Sequence, residues 1–189
     1  MRADSSAEEQ ARTMTLEAFA DTIVPGEKRS ADDPAIAGAA TGGGAVAAGA
    51  IELLEWPATG ITDGLGELAQ KLNEHAEAYA AQHGLTGDET LPPFVALPFE
   101  HRTALARALL SPGHPEKEFW VLLTLFSNMA FDSAAHRNTA EALAAGHPGL
   151  TAMGFAKPDD DGLWRFPDYS YRRPLARLHP DTIDSGSLG

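Results

Sequence analysis

Between Asp63 and Gly84 the chain sets Leu65, Leu68, Leu72, Ala76 and Tyr79 at spacings of three and four. Glu67, Gln70, Lys71, Glu74 and Glu77 fall mainly off that stripe. Only an α-helix gathers residues so spaced onto one face. Asp63 can cap its start, and Gly84 ends it. Such a helix cannot bury its stripe alone, so the rest of the chain must supply further apolar faces.

It does so by the same period. Leu16, Phe19, Ala20 and Ile23 share a helical face, with Thr15 placed to cap it and Pro25 and Gly26 to stop it. A polar loop, "GEKRSADDP", follows. Residues 45–56 can be helical and are stopped by Pro57 and Gly60. After a proline-rich loop, residues 99–110 place Leu105, Ala108 and Leu109 on one side, and "SPGHP" ends them. Residues 116–131, "EKEFWVLLTLFSNMAF", are apolar nearly all round, as expected of a helix at the centre of a bundle. Residues 134–145 form a shorter alanine-rich helix ended by Gly146 and Pro148. No strand alternation or internal repeat interrupts the pattern. The expectation is an all-α, single-domain bundle of about five or six helices over residues 14–156. A flexible N-terminus (1–13) precedes it, and an irregular, proline-rich aromatic tail (157–189) follows.

Charge narrows the partners. The formal net charge is −13, which a phosphate backbone or an anionic lipid surface would repel, so nucleic acid and membrane are not expected partners. There is no cysteine, hence no disulfide, thiolate nucleophile or cysteine-ligated metal. The run "FWVLLTLF" is too short to span a bilayer, and "MRADSSAEEQARTM" lacks the apolar stretch of a signal peptide. A soluble, cytoplasmic protein is expected.

Four features carry possible chemistry. The run "ATGGGAVAAGA" places Gly42, Gly44 and Ala47 at the spacing of a dinucleotide-binding loop. That loop needs a buried strand before it, and "DDPAIAGA" is broken by Pro34 and Gly38, so a flexible entry into a tightly packed helix is the better reading. The seven histidines show neither the His-Glu-x-x-His nor the paired Glu-x-x-His spacing of a helical metal site, so no metal is expected. His75 and His83 read as solvated helix-surface residues. Asp132 and His136, four apart, could orient an imidazole for proton transfer, with His101 as a further candidate, or could be a helix-end charge pair. The structural reading is favoured, and no serine sits in a nucleophile elbow. In the tail, Trp164, Phe166, Tyr169 and Tyr171 alternate with polar residues before Arg172 and Arg173, a composition suited to a partner interface or to capping the protein's own core.

The stretch "LEAFADTIVPGE", followed by "DDPAIAGA" and "GAVAAGAIELLEW", resembles the opening of the gluconate 2-dehydrogenase subunit 3 family. "LPFEHRTALARALL", "FWVLLTLFSNMAF" and "HPGLTAMGF" are similar to its later segments, so the resemblance spans about residues 14–156, with "ADTIVP" its sharpest motif. It implies a small helical subunit that stabilises or matures a large flavin-dependent oxidoreductase of the glucose-methanol-choline type. It implies FAD in that partner and no cofactor bound by this chain. Asp21, Thr22, Ile23 and Pro25 would form a structural helix end, and no catalytic residue is transferred. The chain lacks the twin-arginine signal of many relatives, and it has "DSAAHRNTAEA" where a glycine-rich turn is expected. A cytoplasmic relative serving specialised metabolism fits both departures. Two other readings remain: a stand-alone small-molecule enzyme or binder with a pocket between helices, and a structural homo-oligomer.

Overall fold

A computed structural model describes residues 2–160 together with 180 and 181. The chain divides into two units, residues 1–155 and 156–189. The first is an all-α bundle, and the second lies almost wholly outside the described residues.

The bundle is built from α1 (Arg2–Ile23), α2 (Ala50–Leu54), α3 (Leu65–His83), α4 (Pro93–Ala96), α5 (Phe99–Leu109), α6 (Lys117–Ser133), α7 (Thr139–Ala144) and α8 (Pro148–Ala152). Four of these are long. The others are single turns or little more, which is why eight α-helices stand among the described residues where five or six were expected. α1 packs on α3, α4, α5 and α6, and α6 packs in turn on α2 and α8.

The core forms where the stripes meet. Leu16 and Phe19 of α1, Leu65, Leu68 and Leu72 of α3, Phe94 of α4, and Trp120 and Leu123 of α6 are buried together. Phe19 sits between two other rings, its centroid 6.2 Å from Phe94 and 6.4 Å from Trp120. Each fully buried large apolar side chain contributes about 1.5–3 kcal/mol, so these helices are held by packing more than by propensity.

α1 starts well before the Thr15 cap, so residues 2–13, expected as a flexible terminus, belong to the helix. Thr15 is fully buried; its Oγ1 donates to the Ala11 carbonyl at 2.8 Å and accepts from Asn73 Nδ2 at 3.1 Å. Asn73 Oδ1 in turn accepts the Phe94 N–H at 3.1 Å, so one amide ties α1, α3 and α4.

The helix expected over residues 45–56 is also corrected. Only Ala50–Leu54 is helical, because Gly49 has φ 92°, which a continuing right-handed helix cannot contain. α6 departs from its expected place as well. Trp120, Leu123, Ser127 and Ala130 face inward, but Phe119, Val121, Leu122 and Leu125 are exposed. It is a flank of the bundle, with one apolar face outward.

Candidate functional site

The structure does not bring the acid/base candidates together. α6 ends at Ser133, and Ala134 takes the left-handed conformation at φ 48°, the role a glycine would play in a glycine-rich turn. The turn breaks the four-residue spacing between Asp132 and His136. Asp132 instead accepts a hydrogen bond from Asn128 Nδ2 at 2.7 Å. His136 Nε2 accepts from Arg137 Nε at 3.0 Å, which leaves the ring proton on Nδ1, buried without a partner. Burial, and then the neighbouring Arg137 charge, holds His136 below the ordinary imidazole range. His101 lies on α5, where Nδ1 meets the Tyr79 hydroxyl at 3.1 Å. No hydrogen bond or ion pair among the described residues joins the three.

Of the other histidines, His75 and His147 are held by protein partners, while His83 is exposed as expected. His75 is half-buried, with Nε2 2.7 Å from Glu116 Oε2 and its ring edge-on to Trp120. His83 is exposed and stacks on Tyr79 at 4.2 Å. His147, buried at the start of α8, accepts the Leu150 N–H at Nδ1 and therefore donates from Nε2 to the Ala48 carbonyl at 3.0 Å. Among the described residues no group of three or more carboxylates and imidazoles is placed to hold a metal ion. Trp164, Phe166, Tyr169, Tyr171, Arg172 and Arg173 lie outside the described residues.

The glycine run is pressed against its own chain. Gly44 lies on the backbone of residues 24–26, where a Cβ would collide with the Val24 carbonyl. Two backbone hydrogen bonds stitch the segments, Glu27 N–H to Gly42 O at 2.8 Å and Ala45 N–H to Val24 O at 2.9 Å. At Gly49 a Cβ would stand 2.5 Å from His136 Nε2. The small residues thus seat this chain's own segments, with no strand before the run and no helix until Ala50.

Beside it lies a buried charged network. Arg102 of α5, 4% exposed, donates to the backbone carbonyls of Pro34, Ala35, Val95 and Leu97 at 2.5–3.0 Å. Asp21 is 1% exposed and accepts the N–H groups of Gly26 at 3.0 Å and Ala37 at 2.9 Å. Asp33 accepts those of Ala35 and Ile36, and pairs with Arg29 Nε at 2.6 Å. Arg29 also reaches Glu17. Burial raises Asp21 above the ordinary aspartate value against the pull of these donors and of Arg102. Desolvation also works on Asp33, but the Arg29 and backbone bonds prevail and hold it low. Every carboxylate oxygen of Asp21 and Asp33 holds at least one donor, so the network fixes the path of residues 24–37.

What the fold leaves open is the outer face of α6. Leu122 and Leu125 lie three apart on it, with Val121 alongside and Phe119 one turn earlier; Leu125 is 47% and Phe119 48% exposed. Trp56, just after α2, and Met153 and Phe155, after α8, are also exposed on segments that follow helices packed against α6. Isolated exposed apolar residues are ordinary, but several together on one helix face are less so. Sequence reading missed it because an all-round apolar helix shows no side. The line of Trp120, Leu123, Ser127 and Ala130, where two small residues continue two large ones, was the available sign of which side faces in.

No curated protein and no solved structure matches the chain. A family model does match, over residues 10–189. That covers the bundle from the middle of α1 onward, and the protein accordingly belongs to DUF5987, described as a family of unknown function.

Proposed function

We propose that the protein is a non-catalytic accessory subunit that docks through the outer face of α6 onto a larger, FAD-dependent oxidoreductase. The observation that carries this reading is the exposed row of Phe119, Val121, Leu122 and Leu125 on a helix whose opposite side is fully packed. Burying such side chains in a partner gains about 25 cal/mol per Å² of apolar surface, and large aliphatic and aromatic groups make the usual anchors. The resemblance of "ADTIVP" and the segments after it to the small subunits of flavin-dependent dehydrogenases supplies the class of partner. In this reading the flavin and the substrate belong to the large subunit, and this chain keeps that subunit soluble and correctly folded.

The test is co-expression with a candidate large flavin-dependent dehydrogenase from the same genome. The wild-type chain is expected to co-purify and to raise the yield of soluble, flavin-loaded partner. A Leu122→Glu, Leu125→Glu double variant is expected to fold normally but lose that association by about 100-fold or more, since each change buries a charge in the interface. No co-purification of the wild type, or equal co-purification of the variant, refutes the reading.

A further inference from the structure

A cavity of about 440 Å³ lies between the second half of α3, the loop of residues 84–92 and α4. Its floor is apolar, formed by Ala76 and Ala80 of α3, Leu85 and Leu91 of the loop, and Leu97. Three carboxylates, Glu77, Asp88 and Glu89, stand around it, and no lysine, arginine or histidine lines it. Neither Glu77 nor Glu89 forms an ion pair among the described residues. The loop wall is built rather than loose. Leu85 N–H donates to the Ala80 carbonyl at 2.9 Å, and Leu91 N–H to the Asp88 carbonyl at 3.1 Å. The Asp88 side chain is held by the N–H and hydroxyl of Thr90 at 2.9 and 2.6 Å, which keeps it ionised.

A cavity of this size, apolar below and charged by a few groups of one sign above, has the make-up of a small-molecule site. We propose that it binds a small organic cation, an apolar ring or chain carrying a protonated amine. The apolar body lies on the floor formed by α3 and the loop, and the ammonium group faces Glu77, Asp88 and Glu89. The carboxylates reject an anion of the same shape, and a neutral analogue gains only the apolar half of the contact. These residues are distinct from the α6 face, so the inference stands or falls independently of the accessory-subunit reading.

The test titrates the isotope-labelled full chain with tryptamine and with indole-3-propionate, which share a ring and carry opposite charges, following backbone amide shifts by NMR. Tryptamine is expected to shift residues 76–98 saturably, and the acid to bind about tenfold more weakly or worse. The Glu77→Gln, Glu89→Gln double variant is expected to weaken tryptamine by about two- to fivefold, the scale of partly exposed ion pairs, with no loss of thermal stability. Ala80→Leu fills the floor without changing the net charge and is expected to abolish binding. The exposed Gln pair decides the matter if that variant fails to fold. Equal binding of the acid, shifts centred elsewhere, no saturable shift with either probe, or an unchanged affinity in the Gln variant overturns the proposal.

Discussion

Arg102 shows how much one side chain can organise. Its guanidinium meets four backbone carbonyls from two separate segments, while nearby Asp21 and Asp33 offset part of the cost of burying its charge. A lysine ends in a single ammonium and cannot span those acceptors. Arg102→Lys is therefore expected to cost about 3–5 kcal/mol, the scale of breaking a buried charged network, read as a fall in the urea midpoint. His136 gives a pH prediction. Its folded pKa is depressed from the usual 6.5, so the unfolded chain takes up the proton first as pH falls. The stability it contributes is complete above that value and is lost as pH drops below it. His136→Gln is expected to flatten that part of the fall in melting temperature between neutral and mildly acidic pH. An unchanged slope would count against the buried, neutral ring.

Among the elements, α3 and α5 were legible because each has a clear period and a clear stop, Gly84 and "SPGHP"; α6 was legible as a helix from its long apolar run, but not which of its sides faces in. The end of α1 at Ile23, before Pro25, was legible for the same reason. What was not legible depends on partners distant in sequence. Thr15 reads as a cap until Asn73 is placed against it. Residues 45–49 read as helix until Gly49 is seen in the left-handed region, with His136 leaving no room for a side chain there. α7 begins at the Asn138 cap, whose side chain accepts the N–H groups of Ala140 and Glu141, several residues after the expected start. Arg102 shares the inward face of α5 with Leu105, Ala106 and Leu109, but spacing does not show the distant Pro34 and Ala35 carbonyls that receive a buried guanidinium, so the charged network went unread although Asp21 and Pro25 were read as a structural helix end. Two substitutions separate close approach from mere flexibility. Gly44→Ala forces a methyl onto the Val24 carbonyl and is expected to cost about 1–3 kcal/mol. Gly66→Ala, in an open and exposed position of α3, is expected to stabilise by about 0.5–1 kcal/mol. Thermal unfolding of both against wild type checks the pair.

For the whole molecule, two properties oppose each other. An outward apolar face on α6 favours association, while a net charge of −13 keeps copies apart. Salt shortens the range of the repulsion, to roughly 10 Å at 0.1 M, and leaves the apolar attraction intact. Self-association of the isolated chain is therefore expected to grow with ionic strength, and to vanish in the Leu122→Glu, Leu125→Glu variant. Sedimentation velocity at low and high salt distinguishes this from a fixed homo-oligomer, whose mass would not respond. No described helix is long and apolar enough to cross a membrane, so that face is not part of a spanning segment.

The contacts of Arg102 have a consequence for how such a chain can diverge. The groups it grips at Pro34, Ala35, Val95 and Leu97 are main-chain oxygens, present whatever residue occupies the position. Substitution there, so long as the packing tolerates it, leaves the grip untouched. The route of the long segment between α1 and α2 thus depends on a handful of side chains, Asp21, Asp33 and Arg102 foremost. Homologues can drift far in sequence around that segment and still thread it the same way.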